Sequence, residues 1–249
     1  KRHGAPNVSD FRERGYPVEA IVNYLAFLGW SPQAEGEILP VDDLIRGFSL
    51  DRVSRSPSIF DEVKLDWVAA SHVRRGGAAR YFEEARDFFP PELRDAYPRE
   101  RLREIFEIAS ENLPCFSRLG KEASSMRPGI PPLAGEALDA AREGGELLAA
   151  AAEALGALGA WEAPAIAAAV KALGARTGRK GKSLYMPLRA AVTGMLHGPD
   201  LARVMEIRGR DDVLECLRSA AALSGRATAA MPPTLIVTTP PGKRPASSR

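Results

Sequence analysis

Five cations fall within fourteen residues in the C-terminal third of the chain: Arg176, Arg179, Lys180, Lys182 and Arg189. Four sit on Gly174-Ala175-Arg176-Thr177-Gly178-Arg179-Lys180-Gly181-Lys182, a glycine-rich connection, and the fifth on the helix expected after it, Ser183 to Thr193. Cations placed on a turn and the start of a helix can converge on a phosphate backbone without crossing a core, and binding there is driven by counterion release. Gly181 and Gly194 are expected to permit a close backbone approach on either side. The overall charge of +2 hides this concentration. Residues 160–249 carry 14 Lys and Arg against 6 Asp and Glu, whereas residues 1–100 carry 14 against 17. Polyanion binding follows local rather than net charge. Charge alone fits a solvated basic face equally well. A second basic, glycine-containing loop, Lys1-Arg2-His3-Gly4, opens the chain.

Other chemistries find little support. Cys115 and Cys216 lie a hundred residues apart, with neither ligand spacing nor a disulfide framework, and read as two reduced thiols. His3, His72 and His197 are scattered and suggest no metal site. No GxGxxG and no phosphate-loop Lys-Ser/Thr motif is present. No apolar run reaches the roughly 18 residues that a transmembrane helix needs, and no signal peptide is visible. With 45% apolar and 27% charged residues, the 249-residue chain can build a proper core in one large domain or two smaller ones.

The elements that must position the cations all have a period near 3.6 rather than 2, so an all-α fold is expected. Behind the turn Gly15-Tyr16-Pro17, the residues Val18, Ile21, Val22, Leu25 and Leu28 form one apolar stripe. Pro17 is expected at the first helical position and Gly29 as a left-handed cap. A short helix follows Pro40, with Asp42 and Asp43 in its first turn. Another starts at Phe60-Asp61 and puts Leu65, Val68 and His72 on one face. Pro90-Pro91 breaks the next helical stretch, and Leu102, Ile105, Phe106 and Ala109 make a core stripe after it. Arg127-Pro128-Gly129-Ile130-Pro131-Pro132 is a linker or loop. Residues 134–175 are alanine-rich helices, and a last helix runs from Asp211 to Leu223 with Val213, Leu214, Leu217 and Ala221 on one face.

Three strings carry a resemblance. KRHGAPNVSDFRERGYPVEAIVNYLAFLGWSP, at residues 1–32, resembles the segment of glutamyl-tRNA synthetase that begins at its Lys-Met-Ser-Lys-Ser loop. In that family the loop often reads Lys-Leu-Ser-Lys-Arg-His-Gly, so Lys1 and Arg2 match its end. FSLDRVSRSPSIFDEVKLDW, at 48–67, is similar to the same family, although Val68-Ala69-Ala70-Ser71-His72 stands where relatives carry an Asn. GKSLYMPLRAAVTG, at 181–194, and Gly198-Pro199-Asp200-Leu201 resemble the family's C-terminal pattern, with Ile207-Arg208-Gly209 departing from its usual Leu-Gly pair. Between them, residues 76–160 match only in helical pattern.

The resemblance implies an all-α arrangement: the loop end and a stem-contact bundle over 1–75, anticodon-binding sub-domains over 76–155 and 156–225, and a disordered tail over 226–249. It implies the tRNA-binding part of a class I glutamate–tRNA ligase. The catalytic half, with its His-Ile-Gly-His motif and alternating strands and helices, is not in this sequence. Lys1 and Arg2 would contact ATP, used with Mg only together with that half, and glutamate would bind there too. Arg176, Arg179, Lys180, Lys182 and Arg189 would contact tRNA, that for glutamate and, undecided by the sequence, that for glutamine. Arg118 and Arg127 lie in the loosely matched region and neither is assigned to a base; RNA bases are read in single-stranded loops by stacking and edge hydrogen bonds, which leaves Phe116 and Arg118 as candidates there. A cytoplasmic monomer without membrane contact is expected. The alternative is a stand-alone, non-catalytic tRNA-binding module; the absence of a starting methionine favours the fragment.

Overall fold

The computed structural model describes residues 7–32 and 36–224. Lys1, Arg2 and the segment from Gly225 onward, including the expected tail, lie outside the described residues. The architecture is helical, and β-pairing among the described residues is limited to one antiparallel bridge between Trp30 and Val53. In chain order the helices are α1 (Val8–Glu13), α2 (Val18–Phe27), α3 (Val41–Gly47), α4 (Glu62–Ala85), α5 (Pro91–Ala96), α6 (Arg99–Ala109) and α7 (Leu119–Glu122). They continue with α8 (Gly135–Glu143), α9 (Gly145–Gly156), α10 (Ala163–Thr177), α11 (Lys182–Thr193), α12 (Leu201–Arg208) and α13 (Arg210–Ala221).

The first bundle buries Phe11, Tyr16, Ala20, Tyr24, Leu65, Val68 and Ala69 together with Cys115 from later in the chain. The expected stripe on α2 is split: Ile21 and Leu28 pack against this core and the rest does not. Val18, Val22 and Leu25 are exposed at 68%, 39% and 47%, while Ala20, Asn23 and Tyr24 are buried. Periodicity identified a helix with two apolar sides and could not say which one the chain covers. Two end signals also shift. Pro17 is the N-cap rather than the first helical residue, and α2 ends at Leu28 in right-handed geometry. Gly29 is not left-handed, because its carbonyl is taken by tertiary pairing, Ser54 N–H to Gly29 O at 2.7 Å beside the Trp30–Val53 bridge.

Helix α4 is long and kinked at Gly77 (φ 52°, ψ −159°), and the N–H of Ala78 past the kink donates to Glu107 Oε1 at 2.9 Å. The stripe Leu102, Ile105, Phe106 and Ala109 of α6 is buried as the periodicity predicts. The first bundle is pinned to the rest by a short backbone splice. Phe116 N–H donates to Gly15 O at 3.0 Å, Ser117 N–H to Arg14 O at 3.1 Å, and Arg118 pairs with Asp66 at 2.8 Å.

One continuous core runs from Val73 to Ala220. Helix α9 lies along α13, α8 along α11, and α10 against both α9 and α12. Pro187 sits inside α11, where it removes a helix hydrogen bond. Its ring rests against Gly144, at the break between α8 and α9, where a β-carbon would stand 2.4 Å from Pro187 Cβ. The strap over residues 127–132 is tied down by Arg208, whose guanidinium reaches Asp212, Val192 O and Gly129 O.

Candidate nucleic-acid interface

The basic connection closes α10 and opens α11. Gly178 caps α10 in left-handed geometry (φ 67°). Gly181 (φ 54°, ψ −129°) precedes α11 and turns the chain into it. The expectation of close approach holds at Gly194, where a β-carbon would meet Pro132 O at 2.9 Å, and fails at Gly181, which has open space around it. What Gly181 supplies is its positive φ, which side chains resist. Ser183 Oγ donates to Lys180 O at 2.9 Å and fixes the turn. No side chain caps the N-terminus of α11, which leaves the positive end of its dipole beside the cations.

Two hollows flank this turn. The first, of about 390 Å³, is lined by Lys171, Arg179, Lys180, Gly181, Leu184 and Tyr185 among others. The second, of about 150 Å³, lies between α10, α11 and the start of α12, and is lined by Tyr185, Arg189, Asp200, Leu201 and Met205. Of the five cations singled out by sequence, the structure brings Arg179 and Lys180 into the first hollow and sets Arg189 in the second. Arg176 and Lys182 are exposed nearby but line neither. No ion pair engages any of the five among the described residues.

Arg189 differs from the other four. It is half-buried, and its Nη1 is a buried donor with no hydrogen-bond partner. Burial pushes the guanidinium below its ordinary range, and nearby Asp200 opposes that shift. The Gly198 backbone packs close over Nη1, since a β-carbon there would lie 3.2 Å from it. A buried donor without an acceptor is costly, and the rest of the Arg189 side chain lines the second hollow. Burial predicts what sequence could not: Lys171, Tyr185 and Asp200 belong to the same surface. Lys171 lies two turns before the connection on α10, and Tyr185 is one helical turn from Arg189. That i, i+4 spacing was the signal available in the sequence.

Phe116 is withdrawn as a base contact, because it is 2% exposed and packs against Tyr81, Phe88 and Phe106. Arg118 is occupied by Asp66. Both cysteines are buried and free. Among the described residues, no group of three or more His, Cys, Asp and Glu is placed to hold a metal.

Residues 80–221 match the family model described as "Anticodon binding domain", and residues 1–67 match "tRNA synthetases class I (E and Q), catalytic domain". The chain belongs to the glutamyl-tRNA synthetase family. It is 38% identical over 216 residues to a glutamate–tRNA ligase of Carboxydothermus hydrogenoformans, a match covering 84% of this chain and 45% of the relative. It is 34% identical over 243 residues to one from Moorella thermoacetica, covering 89% of this chain and 47% of the relative. The chain thus spans about half the length of the curated glutamyl-tRNA synthetase relatives it matches. A crystal structure of a glutamate tRNA ligase from Elizabethkingia meningosepticum, in complex with its amino acid, shares the fold with a TM-score of 0.76 at 24% identity. That match covers 85% of this chain and 42% of the other.

Proposed function

We propose that this chain is the tRNA-binding portion of a glutamate–tRNA ligase, which attaches glutamate to its tRNA through a glutamyl-adenylate made from ATP. The observation that carries the reading is the pairing of a solvated cationic hollow with a half-buried arginine whose N–H lacks an acceptor. Arg179 and Lys180, with Lys171, take backbone phosphate, while Arg176 and Lys182 add field at the rim. Arg189 donates to an acceptor on a base edge, since a guanidinium can only donate. Unpaired RNA loops expose such edges.

The match of residues 1–67 to the catalytic-domain model supports a part of a larger enzyme over a stand-alone module. So does the surface of that segment. Val8, Val18, Ile45, Leu50, Ile59 and Val63 are each at least 68% exposed there, a concentration that we read as surface met by the catalytic half. In this reading residues 1–75 are the loop end and stem-contact bundle, and the anticodon-binding part runs from 76 to 225. Its two sub-domains are read as 76–155 and 156–225, with α8 and α9 packing on α11 and α13 across that boundary. Lys1 and Arg2 contact ATP phosphates, with Mg, only when the catalytic half is present. The enzyme is read as a cytoplasmic monomer. Among the described residues no helix is long and apolar enough to cross a membrane.

The test is the binding of glutamate tRNA and glutamine tRNA transcripts across a salt series. For Arg179→Ala/Lys180→Ala, the slope of log affinity against log salt should fall by roughly 0.7–0.9 per lost phosphate contact. Arg189→Ala should weaken binding at every salt concentration. Slopes equal to wild type would reduce the basic connection to a solvated face.

A further inference from the structure

Tyr185 stands between the two hollows and lines both. Among the described residues, the exposed large hydrophobic side chains cluster before Asp66 and at Trp67; Ile130 and Tyr185 are the exceptions. At 43% exposure an aromatic ring on a helix needs a reason. Packing does not supply one: Tyr185 lies outside the buried core, and no aromatic ring or cation covers its face among the described residues. Its neighbours on one side are Lys171, Arg179 and Lys180, and on the other the half-buried Arg189.

We propose that Tyr185 is a stacking platform for one unpaired RNA base. The base would lie on the ring with its acceptor edge toward Arg189, and its phosphate would lie in the Lys171–Arg179–Lys180 hollow. This deepens the tRNA-binding reading and rests on it. The arrangement has the three parts that single-stranded nucleic acid requires, a cationic track, an aromatic face and an edge donor. A duplex cannot use the middle one, because its bases are already stacked. Tyr185 therefore makes the surface selective for a loop, whereas the lysines and Arg179 hold any phosphate backbone.

The experiment uses the full chain and two RNA probes. One is a hairpin carrying the anticodon loop of glutamate tRNA; the other is a fully paired duplex of equal length. Wild type should prefer the hairpin. Tyr185→Ala should weaken hairpin binding about 5- to 100-fold, the range expected for one base–aromatic stack. Tyr185→Leu should lose as much, because it keeps bulk without a π face, and Tyr185→Phe should retain the affinity. The salt slope and duplex binding should be unchanged in all three, since no cation is removed. Hairpin affinity equal to wild type in Tyr185→Ala overturns the stacking role, and the tRNA reading survives if Arg179→Ala/Lys180→Ala still lowers the slope. Parallel loss on hairpin and duplex overturns it as well, by showing that the ring acts through the fold. A wild type with no preference for the hairpin overturns the underlying reading and the proposal with it.

Discussion

Replacing Arg208 with Met should unlock the C-terminal helices. The Arg208 side chain is 1% exposed and pairs through Nε with Asp212 Oδ2 at 2.6 Å. Its Nη1 donates to Val192 O at the end of α11, and its Nη2 to Gly129 O at 2.6 Å. Asp212 completes the latch by accepting the N–H of Gly129 at 2.6 Å. Met fills much of the volume but donates nothing, so a carboxylate loses its cation and two carbonyls lose donors. Breaking a buried pair from one side costs about 3–5 kcal/mol. For a chain of this size each ~1 kcal/mol moves the melting temperature by about 2–4 °C, so a drop on the order of 6–20 °C is expected. Urea unfolding followed by circular dichroism would measure it, with the midpoint falling and the slope m unchanged. Arg208→Met/Asp212→Leu should recover part of the loss, because the orphaned charge goes too, but not all, because Gly129 remains unpaired. A loss below ~1 kcal/mol would refute the latch, since that is the scale of an exposed pair.

His72 is held neutral by burial, with Arg75 pushing the same way and Glu19 opposing, so its pKa falls below the ordinary 6.5. The unfolded chain then binds the extra proton, and the stability His72 contributes is present above about pH 6.5 and lost as pH falls through the lower folded value. Thermal melts from neutral to mildly acidic pH should show a smaller drop for His72→Gln than for wild type; parallel curves would remove His72 from the account. On the outer face of the first bundle, Ile59→Lys/Val63→Lys should cut fluorescence of an apolar dye and leave the melting temperature within about a degree, as for surface changes. A large loss of stability would mean that those side chains, 88% and 78% exposed, are holding the fold after all.

The legibility of the sequence varied with what each signal measures. The α6 stripe and the break at Pro90-Pro91 read correctly, because burial of one face and a missing N–H are local facts. The α2 stripe was half legible: Ile21 and Leu28 pack on the core, whereas Val18, Val22 and Leu25 are apolar for a surface that the described residues do not cover. Gly29 read wrongly as a cap, because the pairing that satisfies its carbonyl comes from Ser54, distant in sequence. At the candidate site, charge and glycine content located the connection. They could not separate Arg189, half-buried beside Asp200, from Lys182, which is exposed one turn after the cap. Burial is a tertiary property and leaves no mark on a string of cations. Tyr185 went unremarked because an aromatic inside an apolar helix reads as core by default, and only its 43% exposure argues otherwise.

That division bears on how affinity and selectivity are built. Arg179, Lys180 and Lys171 stay near water, so on the proposed reading each adds a screened, sequence-blind attraction that salt removes. Arg189 has already lost hydration at Nη1 and has not regained a partner, so it enters binding with a penalty already incurred by the fold. On the proposed reading, an acceptor that reaches the Arg189 guanidinium gains a charge-assisted hydrogen bond, whereas a group presenting a donor does not, and that difference would discriminate. The Arg208 latch keeps the second hollow in register: it ties Val192 at the end of the helix carrying Arg189 to Asp212 on α13. Discrimination by a single donor depends on its being held to within a fraction of an ångström. On the proposed reading, the buried Arg208 latch is what holds Arg189 in place for a base edge, so Arg208→Met should weaken RNA binding as well as stability.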